Sequence, residues 1–138
     1  MKVAIIGIGR IGSATAFCLA NEERIDKLLL INRTKTKAEC LRMDLMGTFP
    51  KRGGVIKVGN LSQASDSDII IITGGALYAT YGTHVLEENK KYIKDIFRQL
   101  VPKKTANIIV IGSPPDKLAF VTLQESKLNP KHIIGFGG

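Results

Sequence analysis

The stretch Val3-Ala4-Ile5-Ile6-Gly7-Ile8-Gly9-Arg10-Ile11-Gly12 sets the fold of this chain. Val3 to Ile6 is an unbroken apolar run of strand length, and Ser13 to Ala20 continues past the glycines as a helix of small residues. Strand, glycine turn and helix in that order open a βαβ unit. In Gly7-x-Gly9-x-x-Gly12 the first glycine permits a tight turn and the second lets a diphosphate approach the backbone. The third lets the helix pack closely on the strand. Free N–H groups at the helix start, reinforced by the helix dipole, then suit the diphosphate of a dinucleotide, with Ile8 and Ile11 in the same cradle and Arg10 as a cation at its rim. A purely structural glycine turn is the alternative reading of these residues.

Working outward, Leu28 to Ile31 is the second strand. The position after it is where such a unit places an acid to hold the adenosine ribose hydroxyls. Here that position is Asn32, followed by Arg33, Thr34, Lys35 and Lys37. An aspartate would repel a 2′-phosphate, whereas neutral Asn32 can hydrogen-bond a ribose. An Arg–phosphate pair is charge-assisted and worth about 1.5–3 kcal/mol. The residues therefore predict NADP in preference to NAD, with NAD possible; an ordinary exposed loop with lysines is the alternative.

Short apolar runs go on alternating with helix-periodic stretches, the pattern of strands buried on both faces of a parallel sheet. Helices are predicted over Thr36 to Met46 and Lys117 to Glu125, and strands over Val55 to Val58, Ile69 to Thr73, Asn107 to Ile111 and His132 to Ile134. Val85, Leu86, Asn89, Tyr92, Ile93, Ile96, Phe97 and Leu100 form one buried helical stripe that Pro102 stops. Six such strands with right-handed crossovers predict a Rossmann fold, a doubly wound parallel α/β sheet of order 3-2-1-4-5-6, filling residues 1–138 as one dinucleotide-binding domain.

With 138 residues and 44% hydrophobic content the chain buries a real core without staples. Its net charge is +8, and residues 33 to 57 hold seven basic side chains against two acidic ones. The aromatics are scattered without the stacking pattern of a nucleic-acid surface. Apolar runs stop at four residues, so no membrane span is predicted, and the apolar start is too short for a signal-peptide core, which predicts a cytoplasmic protein. Cys18 and Cys40, with no C-x-x-C or Cys/His cluster, read as buried reduced thiols and signal no metal site.

Once Asp66-Ser67-Asp68-Ile69-Ile70-Ile71-Ile72-Thr73-Gly74-Gly75-Ala76 is added, the chain resembles, end to end, the cofactor-binding half of the lactate and malate dehydrogenase family. Met43-Asp44-Leu45, Glu88-Asn89-Lys90 through Ile96, Ser113-Pro114-Pro115-Asp116 and Ile133-Ile134-Gly135-Phe136-Gly137 are further landmarks in the right order. The resemblance implies that Thr73, Gly74 and Gly75 line the second ribose and nicotinamide end, with Ser113 near the nicotinamide. It also implies hydride transfer to or from a small 2-hydroxy or 2-oxo acid in an enzyme that is a homo-oligomer.

The departures are specific. The family's mobile loop carries substrate-binding arginines, yet no arginine occurs from Gly53 to Phe97; Leu77 to Thr83 is about two residues short, and His84 stands where the carbonyl-polarising arginine would come. Ser113 replaces an asparagine. Family members supply the catalytic histidine from a second domain, and His132 reads as structural, so no catalytic residue is assigned in this chain and turnover by it alone is not expected. A standalone Rossmann nucleotide sensor and a catalytically inactive dehydrogenase paralogue are the competing readings.

Overall fold

The computed structural model describes residues 1–76 and 84–137. Six strands, β1 (Lys2–Ile6), β2 (Lys27–Ile31), β3 (Ile56–Val58), β4 (Ile69–Ile72), β5 (Asn107–Ile111) and β6 (Ile133–Phe136), form one sheet of order β3-β2-β1-β4-β5-β6. Every neighbouring pair is parallel. The helices described are α1 (Arg10–Ala20), α2 (Lys35–Thr48), α3 (Val85–Phe97) and α4 (Pro115–Ser126). This is the doubly wound arrangement that the alternating runs predict.

The period of two along each central strand divides the core. Ala4 and Ile6 of β1 and Ile70 and Ile72 of β4 face one cluster, which Ile93 and Ile96 of α3 and Leu118 and Val121 of α4 complete. Val3, Ile5 and Ile71 face the other, with Ala16 and Ala20 of α1 and Ala38 and Leu45 of α2. Both faces of β1 are dry, so its sequence is continuously apolar instead of alternating. The chain leaves β1 toward β2 on one side and reaches β4 on the other, which opens a crevice at the carboxyl ends of β1 and β4. Among the described residues no helix is long and apolar enough to cross a membrane.

Several expectations are corrected. Both cysteines are exposed. α1 turns Gly12, Ala16 and Ala20, four residues apart, onto the sheet, and Cys18, two residues past Ala16, lies roughly 200° around the helix. Cys40 stands in the same relation to buried Ala38 in α2. α1 begins at Arg10, not Ser13, because the turn is complete at Gly9 and Ser13 N–H already donates to Gly9 O at 2.9 Å. α3 ends at Phe97, before Pro102, and Leu100 reaches the core from the turn that follows. Pro115 is the first residue of α4, where its missing N–H costs no helical bond.

At the opposite, amino edge of the sheet, Asp68 joins three segments. Its carboxylate accepts from Lys2 N–H at 2.6 Å and from Lys103 Nζ at 2.5 Å. The Lys103 ammonium first, and the Lys2 amide second, hold this carboxyl below the usual carboxylate range. A carboxyl depressed in the folded state adds stability above the unfolded value of about 4 and loses it as pH falls through the depressed value. The urea midpoint is therefore expected to drop below about pH 4. Asp68→Asn should lower the midpoint at neutral pH and flatten the acid fall, as followed by circular dichroism.

Candidate functional site

The glycine turn is held from both sides. Gly7 adopts φ +100°, a region open to glycine and strained for other residues. Its N–H donates to Ile31 O at 2.8 Å, which ties the turn to the end of β2. Ile8 N–H donates to Asn32 Oδ1 at 2.9 Å, and Asn32 Nδ2 donates to Thr34 O at 3.0 Å. Asn32 thus spends both ends of its amide joining the glycine turn to the start of α2. From the other side, Thr73 Oγ1 donates to Gly7 O at 2.6 Å, and the Thr73 and Gly74 amides both donate to Ile6 O.

The three glycines divide the work. A Cβ on Gly7 would run into the Gly74 backbone, and one on Gly12 would run into the Gly7 carbonyl and the Thr73 hydroxyl. A Cβ on Gly9 would meet nothing within 4 Å. Gly7 and Gly12 are therefore packing glycines, while Gly9 keeps open the space in front of the first turn of α1. That turn carries no side-chain cap and no acidic residue, so its N–H groups and the positive end of the helix dipole face an open groove. An anion fits such a place.

The groove has two adjoining parts that share lining residues. The larger, about 760 Å³, is lined by Gly7, Ile8, Gly9, Arg10, Ile11, Asn32, Arg33, Lys37, Thr73, Gly74, Gly75, Ala76, Glu88 and Tyr92. The smaller, about 400 Å³, shares Asn32, Arg33 and Tyr92 and adds Ile6, Ile31, Lys35, Gly59, Asn60, Leu61, Asp95, Ile96 and Gln99. Most of the residues expected from the sequence meet here. Gly12 lies beneath the turn, Thr34 caps α2 with its carbonyl taken by Asn32, and exposed Ser113 follows β5; none of these three lines either part.

Periodicity missed the contribution of α3. Buried Asn89 accepts from Ala76 N–H at 2.6 Å and offers Nδ2 to Ser113 O at 3.4 Å, pinning the turn after β4 to the loop after β5. Its oxygen also occupies the place of a Gly75 side chain. The signal was present as a polar residue on an apolar helical stripe, which needs partners when buried. Tyr92 tips out of the same stripe over Gly74.

The charges are distributed unevenly. Arg42 donates to Ile56 O, and Arg52 is spread over the carbonyls of Ala20, Glu22 and Ile25, so both serve the fold. Arg33 is exposed in the groove with no hydrogen bond or ion pair to the described residues. Asp95 is paired with Arg98 at 2.7 Å. Burial raises the Tyr92 phenol above its ordinary value, opposed by the Arg33 charge. His84 precedes α3 and lines neither part of the groove. His132 Nδ1 lies 3.0 Å from Asn107 Oδ1 at the amino edge of the sheet, a sheet's length from the glycine turn. Among the described residues no three His, Cys, Asp or Glu side chains gather to hold a metal. The shortened loop Leu77 to Thr83 lies outside the described residues.

Comparison with known proteins agrees with this geometry. Residues 1–135 match the family model described as lactate/malate dehydrogenase, NAD binding domain. The chain is 33% identical over 142 residues to L-lactate dehydrogenase 1 of Clostridium acetobutylicum, covering 99% of this chain and 45% of that protein. It is 30% identical over 141 residues to L-lactate dehydrogenase 1 of Bacillus cereus, with the same coverage. A solved lactate dehydrogenase from a Medee basin deep-sea metagenome library superimposes with TM-score 0.84 at 28% identity, covering 99% of this chain and 44% of that one. The malate dehydrogenase of Aeropyrum pernix does so with TM-score 0.81 at 27% identity, covering 99% and 46%. The chain thus spans somewhat under half the length of these relatives.

The division among the glycines has a measurable consequence. Gly12→Ala is expected to destabilise the protein by about 2–3 kcal/mol, since the nearest atom it meets is the Gly7 carbonyl oxygen and moving a side chain does not relieve that clash. Gly9→Ala should stay within about 1 kcal/mol of the parent. Urea unfolding of the two variants checks the contrast, and equal losses would contradict it.

Proposed function

Because the chain belongs to the lactate/malate dehydrogenase family and carries its NAD-binding domain, we propose that its groove takes NADP(H) in preference to NAD(H). The protein it serves is an oxidoreductase that moves hydride between the nicotinamide and a small 2-hydroxy or 2-oxo acid. In this reading Gly7 to Gly12 hold the diphosphate on the first-turn amides of α1. Thr73, Gly74 and Gly75 lie along the nicotinamide half, with Ser113 beyond them. When bound, the nicotinamide supplies a two-electron hydride carrier; the chain's own residues bind and orient it. No catalytic residue is assigned within residues 1–138.

The observation that carries the cofactor preference is the state of the end of β2. Asn32 is neutral and already committed to Ile8 and Thr34, so no carboxylate there opposes a 2′-phosphate. Arg33 beside it is unpaired among the described residues, and the one acid lining that part of the groove, Asp95, is neutralised by Arg98. A guanidinium with no internal partner forms a bidentate pair with phosphate without first breaking another.

The absence of arginine from Gly53 to Phe97, with Glu88 lining the groove instead, favours as a second reading a protein that binds the dinucleotide without turning it over. NADPH oxidation with pyruvate or oxaloacetate, assayed in a protein that joins this domain to a domain supplying the catalytic histidine, separates the two readings.

Calorimetric titration tests the preference. NADP(H) should bind about tenfold to a hundredfold tighter than NAD(H), and Arg33→Ala should erase that difference while leaving NAD(H) affinity nearly unchanged. Equal affinities in the parent protein would discard the assignment.

A further inference from the structure

Tyr92 enters the sequence as one more member of the α3 stripe, but its hydroxyl end does not finish in the core. It lines both parts of the groove, and only Asn32 and Arg33 share that property. These three residues stand at the junction of the two parts, the neck between them. The ring tip lies over Gly74: a Cβ there would collide with the Tyr92 hydroxyl and Cζ. Gly74 lacks a side chain where Tyr92 has a long one, so the pair is one packing unit.

The polar chemistry of the neck is one-sided. Asn32 has both amide ends engaged in the turn. The Tyr92 hydroxyl makes no hydrogen bond to the described residues, although a half-buried phenol ordinarily finds a partner. Burial keeps it protonated, and the nearby Arg33 guanidinium adds positive potential. The neck thus offers an O–H donor and a cationic N–H fork, with no negative group of its own. An anionic oxygen fits that pair far better than a neutral ring.

We propose that the Tyr92 hydroxyl donates a hydrogen bond to a phosphate oxygen of the bound dinucleotide where it crosses the neck, sharing that anion with Arg33. Tyr92 is then a specificity-determining residue of the binding site. The assignment rests on the dinucleotide reading above. The phosphate is the adenosine 2′-phosphate that the Arg33 reading places here, and NAD⁺, which lacks it, is the control.

Tyr92→Phe is the decisive variant, because it keeps the ring and its packing on Gly74 and removes only the donor. Titrating NADP⁺ and NAD⁺ into the parent, Tyr92→Phe, Arg33→Ala and the double variant should show about a tenfold or larger loss in Tyr92→Phe with an unchanged melting temperature. A loss confined to NADP⁺ supports the assignment, and equal losses on NADP⁺ and NAD⁺ overturn it, because the anion shared with Arg33 is one that NAD⁺ lacks. The double variant should lose less than the product of the single losses, since both groups hold one anion. Tyr92→Phe binding both cofactors as well as the parent, or better, overturns the role of Tyr92 and leaves the Arg33 reading intact. A parent protein that takes up neither nucleotide overturns both. If the variant folds poorly, fluorotyrosine-labelled protein carrying Tyr78→Phe and Tyr81→Phe, in which Tyr92 is the one tyrosine, decides: its fluorine resonance should shift on adding NADP⁺ and not on adding NAD⁺, and no shift with NADP⁺ overturns the proposal.

Discussion

The contact between two backbones, Gly7 against Gly74, is the constraint on which the site depends. It brings the turn after β1 and the turn after β4 within van der Waals reach, and the Thr73 hydroxyl locks them through the Gly7 carbonyl. The hydrogen bond itself contributes only about 1 kcal/mol net. Its larger effect is geometric. With the two turns joined, the first turn of α1 is fixed over the crevice between β1 and β4, and its amides converge on one volume instead of facing open water.

Around that contact the molecule separates groups that hold the fold from groups left to face a ligand. Arg42 and Arg52 satisfy backbone carbonyls, Asp68 and Lys103 tie the amino edge, and Asn32 and Asn89 spend their amides on loops. Arg33 and the Tyr92 hydroxyl have no such duty among the described residues. Both stand at the neck between the two parts of the groove. Arg10, Arg33, Lys35 and Lys37 line the groove, and none of the four has a hydrogen bond or ion pair from its side chain to the described residues.

Much of this was legible in the residues. The run Val3 to Ile6 followed by three spaced glycines, and the recurring four-residue apolar runs, specify a parallel sheet wound on both faces, because only strands dry on both sides need no alternation. The predicted cradle residues Gly7 to Ile11, with Asn32, Arg33 and Thr73 to Gly75, do come together. The cysteines were misread because small apolar character implies burial only when the residue lies on the inward stripe, and both are two positions off it. Asn89 and Tyr92 were read as stripe members because helical spacing reports which face of a helix points inward, not where the far end of a long side chain arrives.

The sequence by itself determined the order of elements, the doubly wound topology and the glycine turn at the start of α1, since these follow from local periodicity, glycine spacing and right-handed crossovers. Tertiary structure alone decided which glycine serves packing and which serves access, which cations stay unpaired, and that a tyrosine 18 residues beyond Gly74 closes over it. Those are properties of atoms brought together from distant segments, and no spacing along one chain encodes the distance between them.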